Sequence, residues 1–301
     1  MARRTAGGPT SDFEAQDQYW DNRMQILLNT IALEPNRWTE RRIPHFKLVD
    51  LLGPIEAAGF RSLEVWQNHV ALLRPEELET LRQRVQQAGI ALSIVGMYPA
   101  FHLDGSEREG ELARWDGMFD IAEMLGARAL KVMPGRVPSA QMTAQIWDRS
   151  VEFVREACRR AEKRGLIIPL ETHAGTVADD PDALLRFLRA VGSEALKVCW
   201  QPFDFSSTQK AIELYDRLAP YVVHLHLQGH RGTEVALLEE SDLDYARVLS
   251  HILASGFDGY LSIEFVQDCV VDTPERLDLN RVLANAQADM RFVESVPGFS
   301  G

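Results

Sequence analysis

Two rhythms of hydrophobic and polar positions alternate along the chain. Apolar residues recurring every three or four positions, as on one face of an amphipathic helix, run up to a glycine, and a short apolar run of strand length begins soon after it. Gly59 precedes Ser62-Leu63-Glu64-Val65-Trp66, Gly89 precedes Ala91-Leu92-Ser93-Ile94-Val95, and Gly126 precedes Ala129-Leu130-Lys131-Val132-Met133. Gly165 opens Leu166-Ile167-Ile168-Pro169-Leu170-Glu171, Gly192 precedes Leu196-Lys197-Val198-Cys199-Trp200, and Gly256 precedes Tyr260-Leu261-Ser262-Ile263-Glu264. A glycine there suits the left-handed residue that closes a helix, a conformation other side chains adopt at a cost. Ala219-Pro220 stops one helix by another route and opens Val222-Val223-His224-Leu225-His226-Leu227.

With a first strand at Met24 to Leu28, eight strands alternate with helices over one uninterrupted chain. That order predicts an α/β protein with a parallel eight-stranded sheet closed into a single-domain (β/α)8 TIM barrel, spanning 23–298. An open doubly wound sheet would need a glycine-rich phosphate turn after an early strand, and none is present. Residues 1–22 lack periodicity and read as an N-terminal arm or tail. Asp180-Pro181-Asp182 and Pro75-Glu76-Glu77 mark helix starts, and Gly53-Pro54 predicts a kink or restart within the helical pattern Phe46 to Ala57. Long first and seventh βα connections, Glu34 to His45 and Gly229 to Glu240, belong to the face of a barrel where active sites form.

Composition narrows the function. A chain of 301 residues, 46 % hydrophobic, can bury one large core. Its formal charge of -12 argues against a nucleic-acid partner, and aromatic residues are not interleaved with basic runs. No apolar run reaches membrane-span length, and Ser11-Asp12-Phe13-Glu14 stands where a signal peptide needs apolar residues, so a cytoplasmic protein without a membrane partner is expected. Cys158, Cys199 and Cys269 have neither the number of a disulfide framework nor the spacing of a thiolate zinc site.

Polar residues at the C-terminal ends of barrel strands need a reason, because barrel interiors are otherwise filled with branched apolar side chains. Glu171 and His173 share a face by period two; either a ligand awaits them, or Glu171 pairs with a core Arg or Lys while His173 caps a turn. Glu171, His226 and Glu264, with Gln201 on the strand between, can hold one divalent cation. Their oxygen and nitrogen donors favour Mn²⁺, Mg²⁺ or Co²⁺, with Zn²⁺ possible. Such a site supports proton transfer beside a carbonyl, with Glu171 and Glu264 as the acid–base pair. The substrate-lining candidates are Glu64, Trp66, His69, His102, Lys131, His173, Trp200, Asp204 and Gln228. Alternatives stay open for several: Lys131 with Glu64 as a buried ion pair, Trp66 and Trp200 as wall packing, His224 as a satisfied core histidine, Cys199 as a small buried apolar group.

The succession Leu63-Glu64-Val65-Trp66, Glu171-Thr172-His173, Cys199-Trp200-Gln201-Pro202, His224-Leu225-His226-Leu227 and Ile263-Glu264 resembles the sugar phosphate isomerase/epimerase superfamily, the xylose isomerase-like TIM barrels, over about residues 24–295. In many members a Glu closing strand five, an Asp closing strand six, a His on strand seven and a Glu on strand eight bind one divalent metal, and the two Glu exchange the substrate proton. By that resemblance the ligands are Glu171, Gln201, His226 and Glu264. Gln201 replaces the usual Asp, which removes a negative charge and weakens the hold on the cation, with Asp204 near enough in sequence to compensate.

The resemblance implies an isomerase or epimerase of a free sugar or small polyhydroxy ketone. A carbon–oxygen lyase or dehydratase shares its first step, and Gln201 also admits a sugar-binding barrel without turnover. An endonuclease IV-like nuclease needs more His and Asp ligands than eight histidines scattered along the chain supply. A dimer or tetramer is expected from the arm and the superfamily's habits.

Overall fold

A computed structural model describes residues 24–203 and 206–299; the expected N-terminal arm and Asp204 lie outside them. Strands β1 (Gln25–Asn29), β2 (Ser62–Val65), β3 (Ala91–Met97), β4 (Ala129–Val132), β5 (Ile168–Glu171), β6 (Leu196–Trp200) and β7 (Val222–Arg231) follow one another around the sheet. A short β8 (Glu234–Ala236) pairs antiparallel with the end of β7, and β9 (Tyr260–Phe265) lies between β7 and β1. Parallel pairing of β6 with β7 completes the ring, so eight parallel strands form a closed TIM barrel. Helices α1 (Leu48–Ala57), α2 (Pro75–Gln87), α3 (Gly105–Leu125), α4 (Ala144–Glu162), α5 (Pro181–Val191), α6 (Thr208–Leu218), α7 (Tyr245–Ala254) and α8 (Leu279–Ser295) connect the strands. No helix among the described residues is long and apolar enough to cross a membrane.

The punctuation read from sequence has its physical counterpart. All six glycines that precede strands have positive φ, from 62° at Gly89 to 92° at Gly59. Asp180 caps α5 by accepting a hydrogen bond from the Ala183 N–H, and Pro181 follows at the first helical position. Helix α1 runs through Gly53-Pro54 without restarting, because buried Leu51, Leu52 and Ile55 fix that turn against the core. The connection after β7 is a β-hairpin rather than an irregular loop, with Gly229, His230 and Arg231 facing Ala236, Val235 and Glu234.

Strand parity sorts the side chains. Leu63, Val65, Leu130, Val132, Leu170, Val198, Trp200, Leu225, Leu227, Leu261 and Ile263 belong to the large core under the helices. Their neighbours point into the barrel, where Leu27, Ile94, Ala129 and Tyr260 make a small separate apolar cluster. Above it the filling turns polar: Glu64, Lys131, His224, His226, Ser262 and Glu264 are all buried. Sealing so many ionisable groups in a barrel is costly unless they satisfy one another.

Candidate metal centre and active site

Lys131 Nζ donates a 2.6 Å hydrogen bond to Glu171 Oε2 and lies 3.4 Å from Glu64 Oε1. Burial pulls the Lys131 ammonium down, but Glu171 and Glu64 outweigh it and hold its pKa well above the usual lysine range. For Glu171, burial pushes upward and Lys131, His226 and His173 push down, leaving the carboxyl below its ordinary value. Glu171 is therefore paired with a core lysine and still exposes a second oxygen. That oxygen, Oε1, lies 4.0 Å from His226 Nδ1.

His226 is the hub. Its Nε2 lies 2.9 Å from Glu64 Oε2, a carboxylate held well below the usual range although burial opposes this; His226 and Lys131 supply most of the opposing pull. With Nε2–H donating to Glu64, Nδ1 meets Gln201 Oε1 at 3.1 Å and Glu264 Oε2 at 3.2 Å. Burial opposes a charge on the ring, but Cys199, Glu264 and Glu64 hold its pKa well above the usual histidine range, so Nδ1 donates a proton there whose place a cation would take. A carboxylate behind an imidazole whose other nitrogen meets converging oxygens is the usual outer support of a metal-binding histidine. One oxygen each of Glu171 and Glu264 and a ring nitrogen of His226 lie within 4.8 Å of one another. This donor set fits one divalent cation, which Glu171, His226 and Glu264 would hold, with Gln201 Oε1 beside them.

Local structure aims each of them. Glu171 ends β5, and Thr172 fixes the start of the next connection: its hydroxyl donates to the Gln201 carbonyl and accepts from the Gln201 N–H, both at 2.7 Å. Ile263 pairs with Leu227 and Phe265 with Gln228, so Glu264 is the extra residue of a bulge and is turned inward there. A second cluster, Cys199, His224 and His226, also brings three donor atoms within 4.8 Å, but all three side chains are sealed from solvent beneath the first. His224 Nε2 lies 3.3 Å from Glu64 Oε2 without aligning for a hydrogen bond.

A cavity of about 520 Å³ opens above the carboxylates at the C-terminal ends of the strands. Glu171, Gln201, Glu264, His173 and Gln228 line it. The other expected lining residues lie elsewhere. Glu64 and Lys131 sit below the floor as an ion pair. Trp200 follows inward Cys199, so parity turns it outward onto Tyr215, with ring centroids 6.3 Å apart. Trp66 is buried edge-on against His69. His69 is tied up by Thr30 and by Glu34 Oε1 at 3.1 Å, and His102 lines a separate small crevice beside Pro134 and Arg136.

Sequence reasoning missed Arg37, Arg42, Tyr98 and His230 as cavity residues. Three of the four lie in the two long connections, the one signal that pointed to them. Glu34 braces the first connection by accepting from the His45 and Phe46 N–H groups at 2.8 and 2.9 Å. Arg37 donates to the Glu34 and Cys269 carbonyls, joining it to the segment after β9. Burial pushes the Tyr98 phenol up to about 12; Lys131 opposes this and the three glutamates add to it, so the hydroxyl stays protonated.

The family model described as xylose isomerase-like TIM barrel matches residues 52–295. The chain belongs to that family. This xylose isomerase-like barrel is 21% identical over 223 residues to a 3-dehydroshikimate dehydratase of Bacillus anthracis, covering 71% of this chain and 78% of the relative. Its fold is also that of a D-psicose 3-epimerase crystallised in the presence of D-fructose, at TM-score 0.72 and 17% identity, covering 91% of this chain and 100% of that one. An IolI protein with a bound zinc atom superposes at TM-score 0.71 and 18% identity, covering 92% and 100% of the two chains.

Proposed function

We propose that this barrel is a divalent-metal-dependent enzyme that removes a proton from carbon beside the carbonyl of a small polyhydroxy substrate. The observation that carries the reading is the convergence of Glu171 and Glu264 on His226 Nδ1 at the floor of an open cavity. A divalent cation held by Glu171, His226, Glu264 and Gln201 would polarise the substrate carbonyl and make the neighbouring C–H more acidic. Glu264 takes the proton, and the electron pair of the C–H bond moves toward the carbonyl oxygen. Glu171, on the other side of the reacting carbon, takes a proton from the Lys131 ammonium hydrogen-bonded to it and delivers it to the opposite face of that carbon, which gives an epimer, while Glu264 loses its proton to the open cavity and Lys131 regains one. Delivery to the former carbonyl carbon instead, with the neighbouring hydroxyl proton passing to the carbonyl oxygen, gives an isomer. Tyr98 and Gln228 offer hydrogen bonds to substrate hydroxyls.

Dehydration is the second reading, favoured by a curated relative named as a dehydratase. There the same proton leaves first, and the electron pair then expels a hydroxide from the next carbon, which departs as water with a proton from an acid. One experiment covers both. Protein supplied with Mn²⁺ is incubated in D₂O with a panel of ketoses, inososes and cyclic keto acids, and products are followed by mass spectrometry and proton NMR. Deuterium gained at carbon without loss of water supports the isomerase or epimerase reading, and loss of water supports the lyase. Absence of both, or turnover untouched by Glu264→Gln, overturns the proposal.

A further inference from the structure

The lip of the cavity differs in charge from its floor. In a chain of net charge -12, Arg37, Arg42, His173 and His230 all face the same opening, and none lies within 4.0 Å of a described carboxylate. Arg37 is the one arginine buried among the described residues, at 2% exposure, and the atoms that hold it are neutral: the Glu34 and Cys269 carbonyls and Cys269 Sγ at 3.3 Å. Its Nε has no partner. Burial of an arginine there is costly, because Glu34 and Glu264 act on it only from beyond ion-pair distance, and an incoming anion relieves that cost. His230 Nε2 is likewise buried without a hydrogen-bond partner.

Arg42 is the group placed to touch such an anion. It is a non-glycine residue at φ 48°, where an ordinary side chain is strained. Two side chains hold it there: Thr39 Oγ1 accepts from its N–H at 3.2 Å, and Asn68 Nδ2 donates to its carbonyl at 2.6 Å. So fixed, the guanidinium lies over the Tyr98 ring, 5.4 Å from its centroid, beside the cavity and without a carboxylate partner.

We infer that the substrate is a polyhydroxy carboxylic acid whose carboxylate pairs with Arg42 at the lip, within the field of Arg37, while its carbonyl end reaches Glu171 and Glu264; this rests on the proton-transfer reading of the floor. A planar carboxylate matches the fork of a guanidinium. A phosphate is the weaker fit. In barrels it is commonly held by the connections after strands seven and eight and by the N-terminus of a short extra helix. Here the short helices of those connections, Leu238–Glu240 and Pro274–Arg276, carry Glu239, Glu240 and Glu275 in their first turns, and Asp289 already takes the Leu238 N–H at 2.8 Å.

Titration calorimetry on Mn²⁺-loaded protein with glucuronate, glucose, glucose 6-phosphate, quinate and methyl quinate tests the inference. Each free acid is expected to bind about tenfold or more tightly than its uncharged counterpart, equivalent to about 1.4 kcal/mol. Arg42→Gln should erase most of that preference with Mn²⁺ affinity unchanged, and Arg42→Lys should keep part of it. Equal affinity for acid and neutral ligands, no binding of either acid, or a preference surviving in Arg42→Gln overturns it. Tighter binding of glucose 6-phosphate than of glucuronate overturns it in favour of a phosphate. Failure of the wild-type protein to bind Mn²⁺, with the acid preference intact, removes the proton-transfer reading and leaves the carboxylate pairing in place.

Discussion

Lys131 shows how one residue supports the floor. It neutralises two buried carboxylates at once, Glu64 behind His226 and Glu171 beside the proposed metal. Replacing it with Met leaves Glu171 without its ion-pair partner and Glu64 with histidines alone, so Lys131→Met should lose about 3–5 kcal/mol in urea unfolding at pH 7, and a loss below about 1 kcal/mol contradicts the pairing. Gln201→Asp has the opposite effect on the metal. A charged oxygen in place of a neutral one should tighten Mn²⁺ by about tenfold in calorimetry, and unchanged affinity places Gln201 outside the ligand set. Strand parity was enough to find Glu171, His226 and Glu264 as inward residues at strand ends. The same parity puts Trp200 outside, which settles between the two roles open to it, wall packing and an aromatic face for a sugar ring, in favour of packing. Arg37 and Arg42 were not legible, because an irregular connection has no period to say which side chains turn inward.

The element most consequential for the cavity, after the strands, is the hairpin of β7 and β8. Gly229 permits it: a Cβ there would stand 2.4 Å from the Ala236 carbonyl oxygen and 2.7 Å from that of Leu237. Gly229→Ala should destabilise the protein by about 1–3 kcal/mol and displace His230, weakening ligand binding at the lip. Wild-type unfolding midpoints with unchanged ligand affinity would show the backbones to be less tightly apposed. Gly232 stands first in the two-residue loop Gly232-Thr233, as hairpin turns require, but the strand after it has only three residues, too few to show a period, which is why the segment read only as a connection.

Helix α8 supports the same region through Asp289, whose carboxyl is pushed up to about 7, by burial above all, with the Leu238 N–H opposing. An unperturbed aspartate ionises near 3.8. Between those values the folded protein keeps a proton that the unfolded chain has released, so this group lowers stability as pH rises from about 4 to about 7. Asp289→Asn should be more stable than the parent at pH 8, by at most about 4 kcal/mol, and show no such advantage at pH 4. Urea midpoints of the two proteins that differ by the same amount at both pH values refute this.

Closure of the whole molecule brings β5, β6, β7 and β9 to one point, although their contributing residues span positions 171 to 264. The ring was readable from the repeated glycine punctuation and from eight apolar runs, since alternating strands and helices have few ways to cover both faces of a parallel sheet. What the ring encloses follows from charge: cations under the floor hold its acids ionised, and unpaired cations at the lip face an incoming anion. The most direct test is anomalous diffraction from crystals soaked in Mn²⁺. A single strong peak is expected in contact with Glu171 Oε1, His226 Nδ1, Glu264 and Gln201 Oε1, at ligand distances of about 2.0–2.4 Å. No peak in the cavity, or a peak at Cys199 and His224 instead, would contradict a metal-dependent proton transfer between Glu171 and Glu264.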